Sequence, residues 1–248
     1  MRSAYGPHRD HWGELLLPEP RGHAPRVVVL LHGGNWDAAY GAAQTSGLAR
    51  DLARRGWAAW NLEFRRVGPT SGGGWPQSGE DVLAGIDHLV ALDAGLDLSR
   101  VVVIGFSSGA QLALWAAAER GRPTGAGDPE DRPPVPIGAV ASLAGVVHLA
   151  RREEPTVAAF MGATYEQAPE RYAEASPAER LPLGVPTLLV HGDRDLMLPV
   201  SMSERYAERA RAAGDEVTLA VIPGEDHMAA VDPASRCWAA TLAWLSER

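Results

Sequence analysis

The chain has 248 residues, of which 46% are apolar, enough to bury the core of one large α/β domain. Its formal net charge is −8 and its 23 basic residues are all arginine, a balance that argues against nucleic acid or an anionic membrane as the main target. One cysteine, Cys237, excludes an internal disulfide and any cysteine-based metal cluster.

In chain order, the opening residues MRSAYGPHRDHWGE lack the apolar core of a signal peptide, and no later run is long enough to span a bilayer. A cytoplasmic location is therefore expected. WGELLLP (12–18) reads as an antiparallel strand completing one sheet edge. VVVLL (27–31), WAAWNLEF (57–64), VVVIGF (101–106), IGAVASL (137–143), TLLVHG (187–192) and VTLAVI (217–222) are short continuous apolar runs, the pattern of buried parallel strands. Helical patterns lie between most of them. Residues 76–92 keep Val82, Leu83, Ile86, Leu89 and Val90 on one face, and further helices are predicted over 110–119, 201–213 and 234–245. Strand alternating with helix means right-handed crossovers and a parallel sheet covered on both faces, in a single domain over residues 1–248. Two stretches break the pattern. RPTGAGDPEDRPPVP (122–136) reads as an exposed loop. Residues 146–184, with Arg151, Arg152, Glu153, Glu154, Pro155, Pro169, Pro177 and a weak helical pattern, read as a small lid over the strand ends, where ligands bind in open α/β sheets.

VVVIGFSSGAQLAL (101–114) places Ser107 between a strand and a helix, with Gly105 and Gly109 two residues to either side. A glycine on each flank lets strand and helix approach closely, and a serine held in such a turn projects where a substrate can reach it. A serine hydroxyl is a poor nucleophile until a base takes its proton, and that base needs an acid to fix its tautomer. The chain offers both in the order serine, acid, histidine. Asp193 and Asp195 follow the strand that ends in His191-Gly192, and His227 follows the last strand. The glycines of His32-Gly33-Gly34-Asn35-Trp36, directly after a strand, can turn backbone N–H groups into a cleft. The Gly34, Asn35 and Ser108 amides are the candidate oxyanion donors. Each piece has a plain structural alternative: Gly33-Gly34 as a turn, Asp193 and Asp195 as caps of the helix near Val200, His227 as a surface histidine. Their conjunction at the ends of predicted strands carries the catalytic reading.

These residues resemble a known family. HGGNW is similar to the H-G-G-x-W signature of kynurenine formamidase and related small esterases, and His191-Gly192-Asp193-Arg194-Asp195 resembles the H-G-x-x-D acid loop, which favours Asp195 as the acid. The resemblance to the α/β-hydrolases covers nearly the whole chain and implies acyl transfer by Ser107, His227 and Asp195, with no cofactor and no metal. His88 and His148 have no metal-ligand spacing. The implied partner is a small-molecule ester or amide, with neither nucleic acid nor membrane. Hydrolysis of small carboxylic esters leads; an arylformamidase, a prolyl oligopeptidase-like peptidase and a non-catalytic binding protein on the same fold are the alternatives. Trp36, Trp75, Met228, Phe160, Met161 and Tyr165 are candidate substrate contacts, and Phe106 reads as core.

Overall fold

The six apolar runs form adjacent strands of one sheet. The computed structural model describes residues 1–19, 24–121, 134–149 and 155–248. In chain order its elements are β1 (Arg2–Ala4), β2 (Trp12–Leu16), β3 (Arg26–Leu31), α1 (Ser46–Arg54), β4 (Ala58–Leu62), α2 (Gln77–Asp87), β5 (Asp97–Phe106), α3 (Ser108–Gly121), β6 (Ile137–Leu143), α4 (Pro155–Met161), α5 (Pro169–Ala175), β7 (Thr187–Gly192), α6 (Ser201–Ala212), β8 (Val217–Ile222) and α7 (Arg236–Leu245). The eight strands lie in the order β1-β2-β4-β3-β5-β6-β7-β8. β2 runs antiparallel to both β1 and β4, and every other neighbour pair is parallel. This is the α/β-hydrolase fold.

Successive side chains of a strand point to opposite faces, so a run buried on both sides feeds two cores. Val27, Val29 and Leu31 of β3 join the layer with α2, α3, α4 and α5, whereas Val28 and Leu30 join the layer with α1 and α7. The helix α3 is buried all round from Ser108 to Ala118, as expected of one enclosed by sheet and neighbouring helices. α7 is started by Ser235, whose hydroxyl accepts the Trp238 N–H at 2.9 Å. It buries Cys237 completely, and that burial, helped by the Glu225 carboxylate, pushes the thiol up to about 12.

Two expectations are revised, and the predicted lid is given its detail. The sheet edge is β1, not β2: three residues with the pattern Arg-Ser-Ala carry no apolar signal, and β1 pairs Arg2 with Glu14. The sequence pattern predicts no helix between β3 and β4, yet α1 lies there. Its buried apolar residues, Leu48, Ala49 and Leu52, are too few to announce it. In the predicted lid, Pro155 and Pro169 stand at the first positions of α4 and α5 and Pro177 opens a 3₁₀ turn. There the missing N–H costs nothing, so the prolines start helices, in keeping with the weak helical pattern of the segment. Val157, Phe160, Met161, Tyr172 and Ala175 of these helices belong to the core. The charges Arg151 to Glu154, and residues 122–133 of the predicted exposed loop, lie outside the described residues.

The chain steps outward from β3 to β4 and then returns across β3 to β5. Loops leaving β3 and β5 therefore diverge, and the crevice between them is where open α/β sheets bind ligands. HGGNW leaves β3 and the Ser107 turn leaves β5. No helix among the described residues is long and apolar enough to cross a membrane.

Candidate active site

Ser107 sits at the tip of β5 with φ of 52°, in the left-handed region that a residue with a Cβ adopts only when its surroundings hold it there. They do: its N–H donates to Leu143 O at 2.9 Å, and its carbonyl accepts the N–H groups of Ala110 and Val146 at 3.1 Å. The flanking glycines are a steric necessity. A Cβ on Gly105 would overlap the Gly109 carbonyl, and one on Gly109 would overlap the carbonyls of Leu31 and His32. Gly109→Ala should therefore destabilise the fold by about 2 kcal/mol or more, because only backbone could yield. Gly47→Ala, whose Cβ would meet Pro233 at an ordinary 3.5 Å inside α1, should stabilise by about 0.5–1 kcal/mol. Urea unfolding of the two variants checks the contrast, and equal effects would contradict it.

The geometry brings all three predicted triad members together. Ser107 Oγ is 3.1 Å from His227 Nε2, and His227 Nδ1 is 2.6 Å from Asp195 Oδ2. The Asp195 side chain is fully buried. Burial alone would raise its carboxyl, but the Leu198 N–H, the His227 ring and the Met197 N–H outweigh it and hold Asp195 below the ordinary carboxylate value. The two oxygens divide the work. Oδ1 accepts the N–H groups of Met197 and Leu198, both at 2.8 Å. Oδ2 faces His227 and also His191 Nε2 at 3.1 Å. Asp193 is exposed and accepts the Gly224 N–H at 2.5 Å, so it braces the loop before His227 without touching the imidazole. Phe106 is core, packed against the His227 ring at 4.9 Å between centroids.

The HGGNW loop meets Ser107 directly: a Cβ on Gly33 would lie 3.0 Å from the Ser107 Cβ. Gly34, Asn35 and Trp36 all have positive φ. Among the described residues the Gly34 and Asn35 N–H groups donate no hydrogen bond, while the Trp36 N–H points at Ser108 Oγ, 3.4 Å away. The candidate substrate contacts sort by exposure. Met228 is 52% exposed, and Tyr165 on the segment between α4 and α5 is also exposed. Trp36, Trp75, Phe160 and Met161 are at most 2% exposed and pack on one another. Trp36 stacks on Phe160 at 4.4 Å, and Trp75 meets Phe160 edge-on at 6.2 Å. As placed, these four offer almost no surface to the cleft.

Two groups near the site are not anticipated from the sequence. Gln111, fully buried on α3, accepts the Trp36 indole N–H at 3.0 Å and donates to Ala175 O at 2.8 Å, tying the HGGNW loop to α5. His32, Glu63, Arg66 and Asp10 form a buried ionic chain beneath the same loop. The one signal for it is a Glu and an Arg inside the apolar run WNLEFRR, which burial forces to find partners.

A family model described as BD-FAE matches residues 14–209. The chain belongs to the BD-FAE family. The matched span contains HGGNW, Ser107 and Asp195 but ends before His227, which the fold itself brings to Ser107. Among relatives of this BD-FAE chain, esterase LipC of Mycobacterium tuberculosis (strain ATCC 25618 / H37Rv) is 29% identical over 236 residues, 88% of this chain and 56% of the relative. Esterase LipQ of the same organism is 27% identical over 235 residues, 88% of this chain and 53% of the relative. The chain thus spans about half the length of these relatives. Among solved structures, a truncated carbohydrate esterase from gut microbiota superposes with a TM-score of 0.85 at 20% identity, covering 99% of this chain and 94% of that one.

Proposed function

We propose that this chain hydrolyses small carboxylic esters through an acyl-enzyme, with Ser107 as nucleophile, His227 as base and Asp195 as the acid that orients it. The observation that carries the reading is the continuous pair of contacts from Ser107 Oγ to His227 Nε2 and from His227 Nδ1 to Asp195 Oδ2. The esterase names of LipC and LipQ support it.

Ser107 Oγ attacks the acyl carbon while its proton passes to His227 Nε2. Asp195 Oδ2 stabilises the imidazolium that results. The N–H groups of Gly34, Asn35 and Ser108 receive the oxyanion, while the Trp36 N–H is turned to Ser108 Oγ. His227 returns the proton to the departing alkoxide, and a water molecule then repeats the sequence on the acyl-enzyme to release the acid. This route needs no metal or organic cofactor. The mutual packing of Trp36, Trp75, Phe160 and Met161 favours a short acyl group over a long chain, with exposed Met228 and Tyr165 left to contact the alcohol side.

The test is a p-nitrophenyl ester series of increasing acyl length run beside N-formylkynurenine. The highest kcat/KM is expected on the shortest acyl groups, with the formamide slower. A preference for the formamide would replace this reading with the arylformamidase that HGGNW resembles. No turnover together with no labelling by a serine-directed phosphonate would point to a ligand-binding protein on the same fold.

A further inference from the structure

Among the described residues nine large apolar side chains are exposed, and three of them, Leu196, Met197 and Met228, stand on the two short loops that hold Asp195 and His227. The Asp195 carboxylate winds its loop around itself, because Oδ1 takes the N–H groups of Met197 and Leu198. Leu198 turns into the core, while Leu196 at the tip is 99% exposed and Met197 58% exposed. Met228, which is half exposed, opens the 3₁₀ turn Met228–Val231 directly after His227. The 2.6 Å contact between His227 Nδ1 and Asp195 Oδ2 joins the two loops. Apolar surface left in water is thus concentrated beside the reacting serine, where a ligand that covers it gains from its burial.

The carboxylates of the same loops are already engaged. Asp193 accepts the Gly224 N–H, Asp226 accepts the Ala229 N–H at 3.0 Å, and Glu225 accepts Arg236 Nε–H at 3.2 Å. Arg194 is the exception: it is exposed, and among the described residues its guanidinium has no partner.

The chemistry fixes which part of an ester meets these loops. His227 Nε2, 3.1 Å from Ser107 Oγ, gives its proton to the departing oxygen, so that oxygen must come within hydrogen-bond reach of the imidazole. The carbonyl oxygen lies the other way, toward the HGGNW amides. The rest of the alcohol therefore leaves past the loops of His227 and Asp195. The stack of Trp36 on Phe160 keeps the acyl group short, which leaves the alcohol as the half whose size and polarity can be read.

We propose that Met197 and Met228, with Leu196 at the outer edge, bind the alcohol half of the substrate, and that the substrate class is a short-chain acyl ester of an apolar alcohol. Methionine is unbranched and polarisable, so two of them mould to many apolar shapes and select for apolarity rather than for one outline. A polyhydroxylated alcohol would meet no side chain here waiting to replace its water, and would cover the apolar surface with polar groups.

This inference rests on the esterase reading. The experiment measures acid release by the full chain from acetates of straight-chain alcohols, methyl to hexyl, each below its solubility limit. The acyl group is constant and these alcohols differ little in acidity, so the series reports contact rather than leaving-group chemistry. kcat/KM should rise about tenfold from methyl to hexyl, less than full burial of the added methylenes would give because the surface is open on one side. In Met197→Ser/Met228→Ser the ratio should fall to about twofold, and each single variant should fall between. Val90→Ser, an exposed apolar residue of the turn after α2, should keep the tenfold ratio. A flat or falling wild-type series overturns the proposal and leaves the esterase reading standing, whether or not the variants fold. A tenfold ratio retained in the double variant overturns the assignment to Met197 and Met228. A rate that climbs only above the solubility limit would assign the exposed residues to the surface of a condensed ester instead, and faster turnover of 3-acetoxypropanoate than of propyl acetate would assign the site to Arg194 and an anionic alcohol. Either result overturns the proposal. No turnover of any acetate together with no phosphonate labelling removes this proposal and the esterase reading at once.

Discussion

Ser107→Ala should lower kcat/KM on a short-chain ester by about 10⁶-fold, to the residual rate that binding and oxyanion donors give without a nucleophile. The fold should persist. Ser107 is held by its backbone, through Leu143, Ala110 and Val146, and its hydroxyl contributes one hydrogen bond, to His227. The melting temperature should therefore stay within about 4 °C of wild type, since losing one such bond is worth about 1 kcal/mol. Steady-state kinetics and a thermal melt on the same preparation make the comparison. Retention of most of the rate would move the nucleophile elsewhere, and Ser108, whose Oγ faces the Trp36 N–H, would be the next candidate.

Asp195→Asn should cost about 10⁴-fold in kcat, against a few-fold at most for Asp193→Asn. The asymmetry follows from how the carboxylate is used. The N–H groups of Met197 and Leu198 claim Oδ1, so an asparagine keeps its carbonyl there and turns its NH₂ toward His227 Nδ1. That NH₂ can only donate, which forces the proton to Nε2 and leaves the ring unable to accept from Ser107. His191 Nε2, which also faces that position, would lose its acceptor as well but keeps Leu198 O at 3.0 Å. In Asp193→Asn the amide oxygen can still receive the Gly224 N–H. Equal losses, or the reverse ranking, would show that the acid has been misassigned.

Much of this arrangement is legible in the amino-acid sequence, and the reason differs from part to part. β3 and β5 to β8 are legible because continuous apolar runs have few other places to go in a two-faced sheet. Ser107 and HGGNW are legible because close approach of backbone to backbone demands glycine, and glycine is visible in a sequence. The choice between Asp193 and Asp195 is a different matter. Both lie in one loop; the H-G-x-x-D resemblance favours Asp195, but residue type and position alone do not, and it is three-dimensional burial that separates the carboxylate at the imidazole from the one bracing Gly224. β1 and α1 escape notice because register and tertiary packing, not local pattern, create them. Trp75, Phe160 and Met161 look like pocket walls because large apolar side chains near a site are the same residues whether they face a ligand or each other. The ionic chain from His32 to Asp10 is hidden for a related reason. Its members come from separate stretches of the chain, with Asp10 arriving from the N-terminal segment, and a lone charge in an apolar run does not say which partner neutralises it.

The deep seat of Cys237 in α7 has a practical meaning for covalent probes. Thiolate, not thiol, attacks electrophiles, and a thiol near 12 leaves only about one molecule in 10⁵ ionised at neutral pH. With no lysine side chain in the sequence either, the usual competitors for acylating or phosphonylating reagents are missing from the interior and the surface alike. The mass added by a fluorophosphonate can then be read directly as a count of activated hydroxyls, free of background from sulfur or side-chain amines.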